Sequence, residues 1–316
     1  MSTDPMQHHP AATSAFDSAR DIATGSVAVG VDGSPSCEPA LAWAVEQARV
    51  EHRSLTLVHA VEPVGAVWMD QAGYDTRIGL RAMETNARRL LGTAREQAER
   101  AAPELVVHEL LVVVDPREAL LEASHRAALV VVGSRGRGPV RSLLLGSVGV
   151  AVTRHAACPV VVVRPGHPGL VRRGVLVGID GTERALPPLE FAYRQASQRS
   201  LPLTVVHAQP SVAGIGVPPY GALLETLPDP EEGRLVIAET VAGMQEKYPD
   251  VQVSLQPVRG SAQERLARLA EKMDLVVLGA HEGGLLSELL LGSVTTSVVE
   301  HAHCPVAVVP VPGSPR

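Results

Sequence analysis

The chain reads as α/β: two tandem doubly wound domains, each a five-stranded parallel sheet with helices on both faces. Three observations predict this. First, text recurs at one spacing. Leu143-Leu-Leu-Gly146-Ser147-Val148 returns as Leu289-Leu-Leu-Gly292-Ser293-Val294, and His155-Ala-Ala-Cys158-Pro159-Val160 returns as His301-Ala-His-Cys304-Pro305-Val306, each 146 residues on. A shared offset over separate segments marks a duplicated domain. Second, short apolar runs alternate with segments of helical period in both copies, which implies parallel strands joined by right-handed crossovers. Third, the apolar runs are continuous rather than alternating, as in a sheet covered on both faces.

The elements follow in order. Val27 to Val31 is the first strand and closes on Asp32-Gly33-Ser34. Pro35 to Arg49 is helical, with Ala40, Trp43, Ala44 and Ala48 on one face. Leu55 to Ala60 is the second strand, and a loop runs from Glu62 to Thr76. A long helix carries Leu80, Met83, Ala87, Leu90, Ala94 and Ala98 at helical spacing. Val106 to Val113 is the third strand, Asp115-Pro116 opens a helix, and Leu129 to Val132 is the fourth strand, ending at Gly133. A helix begins near Gly146, and Val160 to Val163 is the fifth strand. The second copy places strands at Val175–Ile179, Leu203–His207, Val251–Leu255, Leu275–Leu278 and Val306–Val309, with Ile237, Val241, Met244 and Tyr248 marking its long helix.

The domains are expected at 25–165 and 174–312, joined by a short stiff linker, 166–173. Residues 1–24 carry no apolar period and read as a disordered tail. The fifth strand, flat and apolar, would invite aggregation if exposed; pairing with Val306–Val309 removes that edge.

Composition narrows the partners. A net charge of −6 argues against nucleic acid, and 3% aromatics leaves few surfaces for base stacking. No apolar run is long enough to span a membrane, and no signal-peptide pattern appears. Three cysteines, two of them repeat equivalents before proline, fit a cytoplasmic setting.

The chemistry gathers at the ends of strands one and four. Ligands in such folds sit beyond the carboxyl ends of strands, where the winding reverses. If those strands are neighbours, Asp32 and the loop opened by Gly133-Ser134-Arg135-Gly136 share one crevice. Asp32 could accept from ribose hydroxyls. Gly133 and Gly136 would allow positive φ and leave room for phosphate oxygens. Gly146 and Ser147 open a helix whose free N–H groups favour an anion. Arg135, Arg137 and Arg141 could neutralise phosphate charge. Read blandly, the glycines only make turns, Asp32 only caps a helix and Ser147 is only an N-cap.

Residues 25–310 resemble a tandem universal stress protein. The likeness rests on Val29-Gly-Val-Asp32-Gly-Ser34, Leu57-Val-His59-Ala60, Gly133-x2-Gly136-x9-Gly146-Ser147 and His155-Ala-Ala-Cys158-Pro159-Val160. It implies strand order 3-2-1-4-5, ATP as ligand (magnesium as optional companion) and a homodimer. By the same likeness Asp32 meets ribose or adenine, the Ala60 backbone meets adenine, and Gly133, Gly136, Gly146 and Ser147 hold phosphates, with Val148 adjoining. Asp180, Ala208, Gly279, Gly292, Ser293 and Val294 match in the second copy. There Glu282 stands at the Gly136 position, His281 at Arg135, Ser287 at Arg141 and Glu288 at Ser142. A carboxylate repels phosphate, so the second site is expected to bind ATP more weakly or to hold magnesium at Glu282.

The leading reading is an ATP-binding regulator without a catalytic residue or resident metal. A weak ATPase or adenylyl-transfer enzyme would need an activating His or Lys by the phosphates, where only arginines stand. A scaffold binding no nucleotide is the third reading. There is no G-x-x-x-x-G-K-[ST], no G-x-S-x-G and no H-E-x-x-H. His301-Ala-His303-Cys304 has loose spacing for a metal and leads into a strand. His59 and His207 read as structural hydrogen-bond partners.

Overall fold

A computed structural model describes residues 21–62, 76–136, 145–164, 173–209, 230–280 and 292–311. The first copy contains β1 (Val27–Gly30), α1 (Cys37–Val50), β2 (Leu55–Ala60), α2 (Thr76–Ala101), β3 (Val107–Val112), α3 (Pro116–Ser124), β4 (Leu129–Gly133), α4 (Ser147–His155) and β5 (Val160–Val163). The second contains β6 (Val175–Ile179), α5 (Leu186–Arg199), β7 (Leu203–Gln209), α6 (Pro230–Val241), α7 (Met244–Lys247), β8 (Val253–Arg259), α8 (Ala262–Ala270), β9 (Leu275–Gly279), α9 (Ser293–His301) and β10 (Val306–Val309). The short 3-10 turn Glu183–Ala185 leads into α5.

The described strands join one 10-stranded sheet of order β3-β2-β1-β4-β5-β10-β9-β6-β7-β8. Each half therefore has the order 3-2-1-4-5, parallel throughout. The halves join where β5 and β10 run antiparallel, with Val161 opposite Ala307. This is the pairing that the exposed-edge argument requires. Two apolar cores result, one on each face of the sheet, and each runs through both copies. Leu41, Ala44 and Leu57 share one core with Leu189, Ala192 and Val205. Leu120, Ala123 and Val152 share the other with Leu266, Ala270 and Val298.

Several local expectations need correction. Ile22 is only 2% exposed and packs in the second of these cores, so the chain is already ordered before residue 25. Residues 1–20 and the linker 166–172 lie outside the described residues; Arg173 donates its N–H to the Lys272 carbonyl. In α2 the buried stripe is Ala87, Leu91, Ala94 and Ala98, whereas Met83 is exposed. The continuous long helix expected in the second copy breaks after Val241. Gly243 there takes φ +80, a left-handed conformation that ends one helix and starts α7. The strand expected at Val251–Leu255 lies instead at Val253–Arg259 and includes Pro257. Proline is tolerated because β8 is the outermost of the described strands of the sheet.

Candidate functional site

Strand β1 is hydrogen-bonded to both β2 and β4, with Val29 opposite Val131 on one side and Leu57 on the other. The winding direction reverses between β1 and β4, and the chain leaves both strands at the same end of the sheet. Asp32 and the Gly133–Gly136 segment emerge there together. The His59 Nδ1 atom hydrogen-bonds the Val31 carbonyl, and the Val31 N–H donates to the Val58 carbonyl. These two bonds pin the residue just before Asp32 to β2. His207 repeats the first bond with the Ile179 carbonyl at 3.2 Å. Both histidines are thus structural, and Ala60 and Ala208, one residue on, are half-buried at the ends of their strands.

The Asp32 carboxylate is half-buried. Its Oδ1 accepts from the Ser34 N–H at 2.9 Å, a tight local turn. Its Oδ2 faces Gly136: a methyl group on that glycine would lie 3.0 Å from it. The carboxylate and the side-chain-free turn therefore face each other. Ser34, a residue the sequence reading quoted without assigning it a role, ties the two segments. It is buried, and its hydroxyl donates to the Arg135 carbonyl at 3.2 Å. Alternation could not have revealed this bond, because its partners are 101 residues apart.

The glycines serve closeness rather than unusual dihedrals. Neither Gly133 nor Gly136 is among the positive-φ residues, which corrects the expectation of left-handed turns. A methyl on Gly133 would come within 2.7 Å of the Ser36 carbonyl oxygen, so this glycine lets the end of β4 pass the start of α1. Gly146 takes φ −71 and ψ 158 and is the N-cap of α4, with no side-chain cap. Its own N–H donates to the Ser134 carbonyl at 3.0 Å. The N-terminal backbone donors of α4 are consequently not closed by a capping side chain. Ser147 is the exposed first helical residue rather than the cap, and Val148 is half-buried against the core. Arg135 is exposed beside this opening. Arg137 and Arg141 lie outside the described residues.

Arg164 is an addition that sequence reading missed. It follows β5, and its Nη1 donates to the Val299 carbonyl in α9 at 2.8 Å. Burial, and next the nearby Arg135 charge, hold its guanidinium pKa below the ordinary value. It lies one residue past the expected fifth strand, where no local pattern marks it.

In the second copy, Asp180 is exposed. Its Oδ1 accepts from the Thr182 N–H at 3.0 Å, and the Thr182 hydroxyl lies 2.9 Å and 3.0 Å from the two carboxylate oxygens. Gly181, at φ +79, is pressed by α6: a methyl there would sit 2.5 Å from a Val236 methyl. Gly279 ends β9, and its carbonyl accepts from the Thr295 hydroxyl at 3.1 Å. Gly292 caps α9, with Ser293 exposed and Val294 half-buried. His281, Glu282, Gly283, Gly284, Ser287 and Glu288 lie outside the described residues, as does any magnesium role for Glu282.

Among the described residues no three His, Cys, Asp or Glu side chains converge as a metal site requires, and no helix is long and apolar enough to cross a membrane. Cys158 is buried, and burial pushes its thiol pKa up to about 12, so it is a packing residue.

Comparison with known proteins agrees with this architecture. The universal stress protein family profile matches twice, over residues 24–164 and 172–310. A universal stress protein of Mycolicibacterium smegmatis is 35% identical over 294 residues, covering 90% of this chain and 96% of the relative. One from Mycobacterium tuberculosis strain H37Rv is 35% identical over 288 residues, covering 89% and 96%. A crystal structure of a universal stress protein from Archaeoglobus fulgidus overlays 91% of this chain and 97% of its own, with a TM-score of 0.66 at 18% identity. With the family pattern filling both halves of the sheet, the chain belongs to the universal stress protein family, as a tandem member.

Proposed function

We propose that the first copy binds ATP at the β1/β4 crevice and that the chain acts as a nucleotide-dependent regulator rather than as an enzyme. The observation that carries this reading is the approach of the Asp32 carboxylate to Gly136. A ribose hydroxyl donating to Asp32 would leave the phosphates over the Gly136–Gly146 opening. There the unclosed start of α4 and the Arg135 guanidinium supply donors and positive charge. Ala60 lies at the end of β2, on the adenine side. A methyl at Gly146 would touch Gly136 N, Arg135 Cα and Ser134 O at 3.7–3.9 Å, so a side chain there would narrow the opening. The geometry thus fits a polyphosphate, with magnesium optional.

His59 and His207 each use Nδ1 to hold the strand carbonyl just before the aspartate, which orients the end of β1 and of β6. ATP would act by ordering the loop around residues 133–146 and shifting a conformational or partner equilibrium. The second copy is proposed to bind more weakly. Thr182 occupies both carboxylate oxygens of Asp180, and α6 leans on Gly181. A homodimer and a cytoplasmic setting complete the proposal.

Calorimetric titration with ATP tests it. The expected result is one dominant site per chain, abolished by Gly146→Asp, together with negligible phosphate release. Absence of any ATP affinity would leave the scaffold reading in possession; release that disappears in Gly146→Asp would favour the ATPase.

A further inference from the structure

The two copies meet about a local two-fold axis. In the β5–β10 ladder Val161 faces Ala307, its own repeat equivalent. On one face of the sheet, α1 and α5 meet across this axis through a buried polar cluster. Gln47 and Gln195 hold equivalent places, and both are 0% exposed. The Gln195 amide donates to Glu51 Oε1 at 3.3 Å, and Arg199 Nη2 donates to Gln47 Oε1 at 2.5 Å. These are one contact repeated by the pseudo-symmetry, except for charge. The position one helical turn beyond the glutamine is Glu51 in the first copy and Arg199 in the second. Within each helix the pair is closed again: Gln47 Nε2 donates to Glu51 Oε1 at 2.9 Å, and Arg199 Nε donates to Gln195 Oε1 at 3.2 Å. Glu51 also pairs with Arg53 at 2.8 Å and, across the axis, Arg194 at 3.6 Å. The Arg199 guanidinium lies 5.3 Å from the centre of the Trp43 ring in the other copy.

The opposite face carries the reverse signs. Arg154 in α4 and Glu300 in α9 are repeat equivalents. Arg164, from the first copy, donates to the Val299 carbonyl at 2.8 Å, next in sequence to Glu300. The sign difference that is bonded across the axis among the described residues is that of Glu51 and Arg199.

We propose that this charge asymmetry is a pairing code, which joins the first copy to the second and rejects the pairing of like copies from two chains. The apolar β5 and β10 strands are nearly identical in text and would pair with themselves equally well. Two first copies brought together would place two Glu51 carboxylates in one buried cluster. Two second copies would place two Arg199 guanidiniums there. Each Glu51 would keep Arg53 of its own copy but would lose Arg194 across the axis and face a like charge, and a charge held out of water beside its like costs more than the opposite pair it replaces. A tandem chain needs such discrimination, since pairing of like copies between chains would link molecules into open assemblies.

The test uses the full chain, refolded from denaturant over a range of concentrations and sized by light scattering. Arg199→Glu should lower the melting midpoint by roughly 5–10 °C, as expected for an unpaired buried charge in a chain of this size. Adding Glu51→Gln to Arg199→Glu should recover at least half of that loss. The neutral pair Glu51→Gln with Arg199→Gln removes discrimination while keeping hydrogen bonds. It should give additional species of higher mass that grow with refolding concentration, where the unaltered chain gives one distribution throughout. No recovery on adding Glu51→Gln, or a neutral pair that refolds like the unaltered chain, would overturn the proposal.

Discussion

The two copies share a sheet and a motif, yet the residue two positions after each aspartate bonds differently. In the first copy Ser34 reaches across and donates its hydroxyl to the Arg135 carbonyl, leaving Asp32 Oδ2 facing Gly136. In the second copy Thr182 holds the same place and turns back onto Asp180, contacting both carboxylate oxygens. Threonine's second branch at Cβ restricts its rotamers, and the carboxylate captures the hydroxyl. The second copy then ties the end of β9 another way, through the Thr295 hydroxyl on the Gly279 carbonyl. The position equivalent to Thr295 in the first copy is Gly149, where a methyl would meet Leu145 at 2.7 Å. Matching a motif therefore does not imply matching availability. An aspartate that faces a crevice and one already satisfied by its neighbour read alike in sequence.

The sharpest way to break this comparison is a carboxylate in each opening. Gly146→Asp should weaken ATP binding about a hundredfold or more, given like-charge repulsion near a phosphate. Gly292→Asp should change the measured affinity by less than about threefold if, as proposed, the second copy binds more weakly. Equal losses in calorimetry would erase the distinction between copies.

Next in size, Asp32→Ala should cost about tenfold or more in ATP affinity, the loss of a hydrogen bond to a charged acceptor. Asp180→Ala should leave affinity within experimental error. The same titrations decide it, and a larger effect at Asp180 would invert the assignment.

Gly133→Ala probes a separate point, whether that glycine serves packing or ligand. The methyl would press on the Ser36 carbonyl oxygen. Overpacking of this kind should cost about 2 kcal/mol of stability, visible in chemical denaturation without ATP. Full stability with lost binding would mean that the ligand, not α1, needs the space.

The smallest effect expected is Ser34→Ala, which should lose about 1 kcal/mol of stability with one part-buried hydrogen bond. Bound ATP should recover part of it if the ligand bridges the same two segments. Thr182→Ala should show no such recovery by ATP in thermal melts.

Much of the architecture was legible because it depends on local periodicity. Continuous valine runs such as Val160–Val163 and Leu129–Val132 can only be strands covered on both faces, and the repeated text made the second copy readable from the first. Elements failed where tertiary position outweighed local pattern. Met83 lay on the helical period yet faces outward, because the sheet contacts the Ala87–Leu91–Ala98 side. The strand expected to end at Leu255 runs on through Pro257, because an outermost strand tolerates a residue without a backbone N–H. Ile22 looked like tail because a single apolar residue has no period to reveal it.

By itself, the amino-acid sequence determined the duplication, the alternation of strand and helix, and the residues that could approach an anion. All of these are properties of neighbours along the chain, where side-chain type and backbone freedom act directly. Only the tertiary structure decided that Asp32 faces Gly136, that Ser34 bridges segments 101 residues apart, and that Glu51 and Arg199 meet in one buried cluster. Those depend on how the sheet brings distant segments together and on which hydrogen-bond partner each buried polar group finds there. Burial makes that choice consequential, because a polar group removed from water must be satisfied by whatever the fold puts beside it.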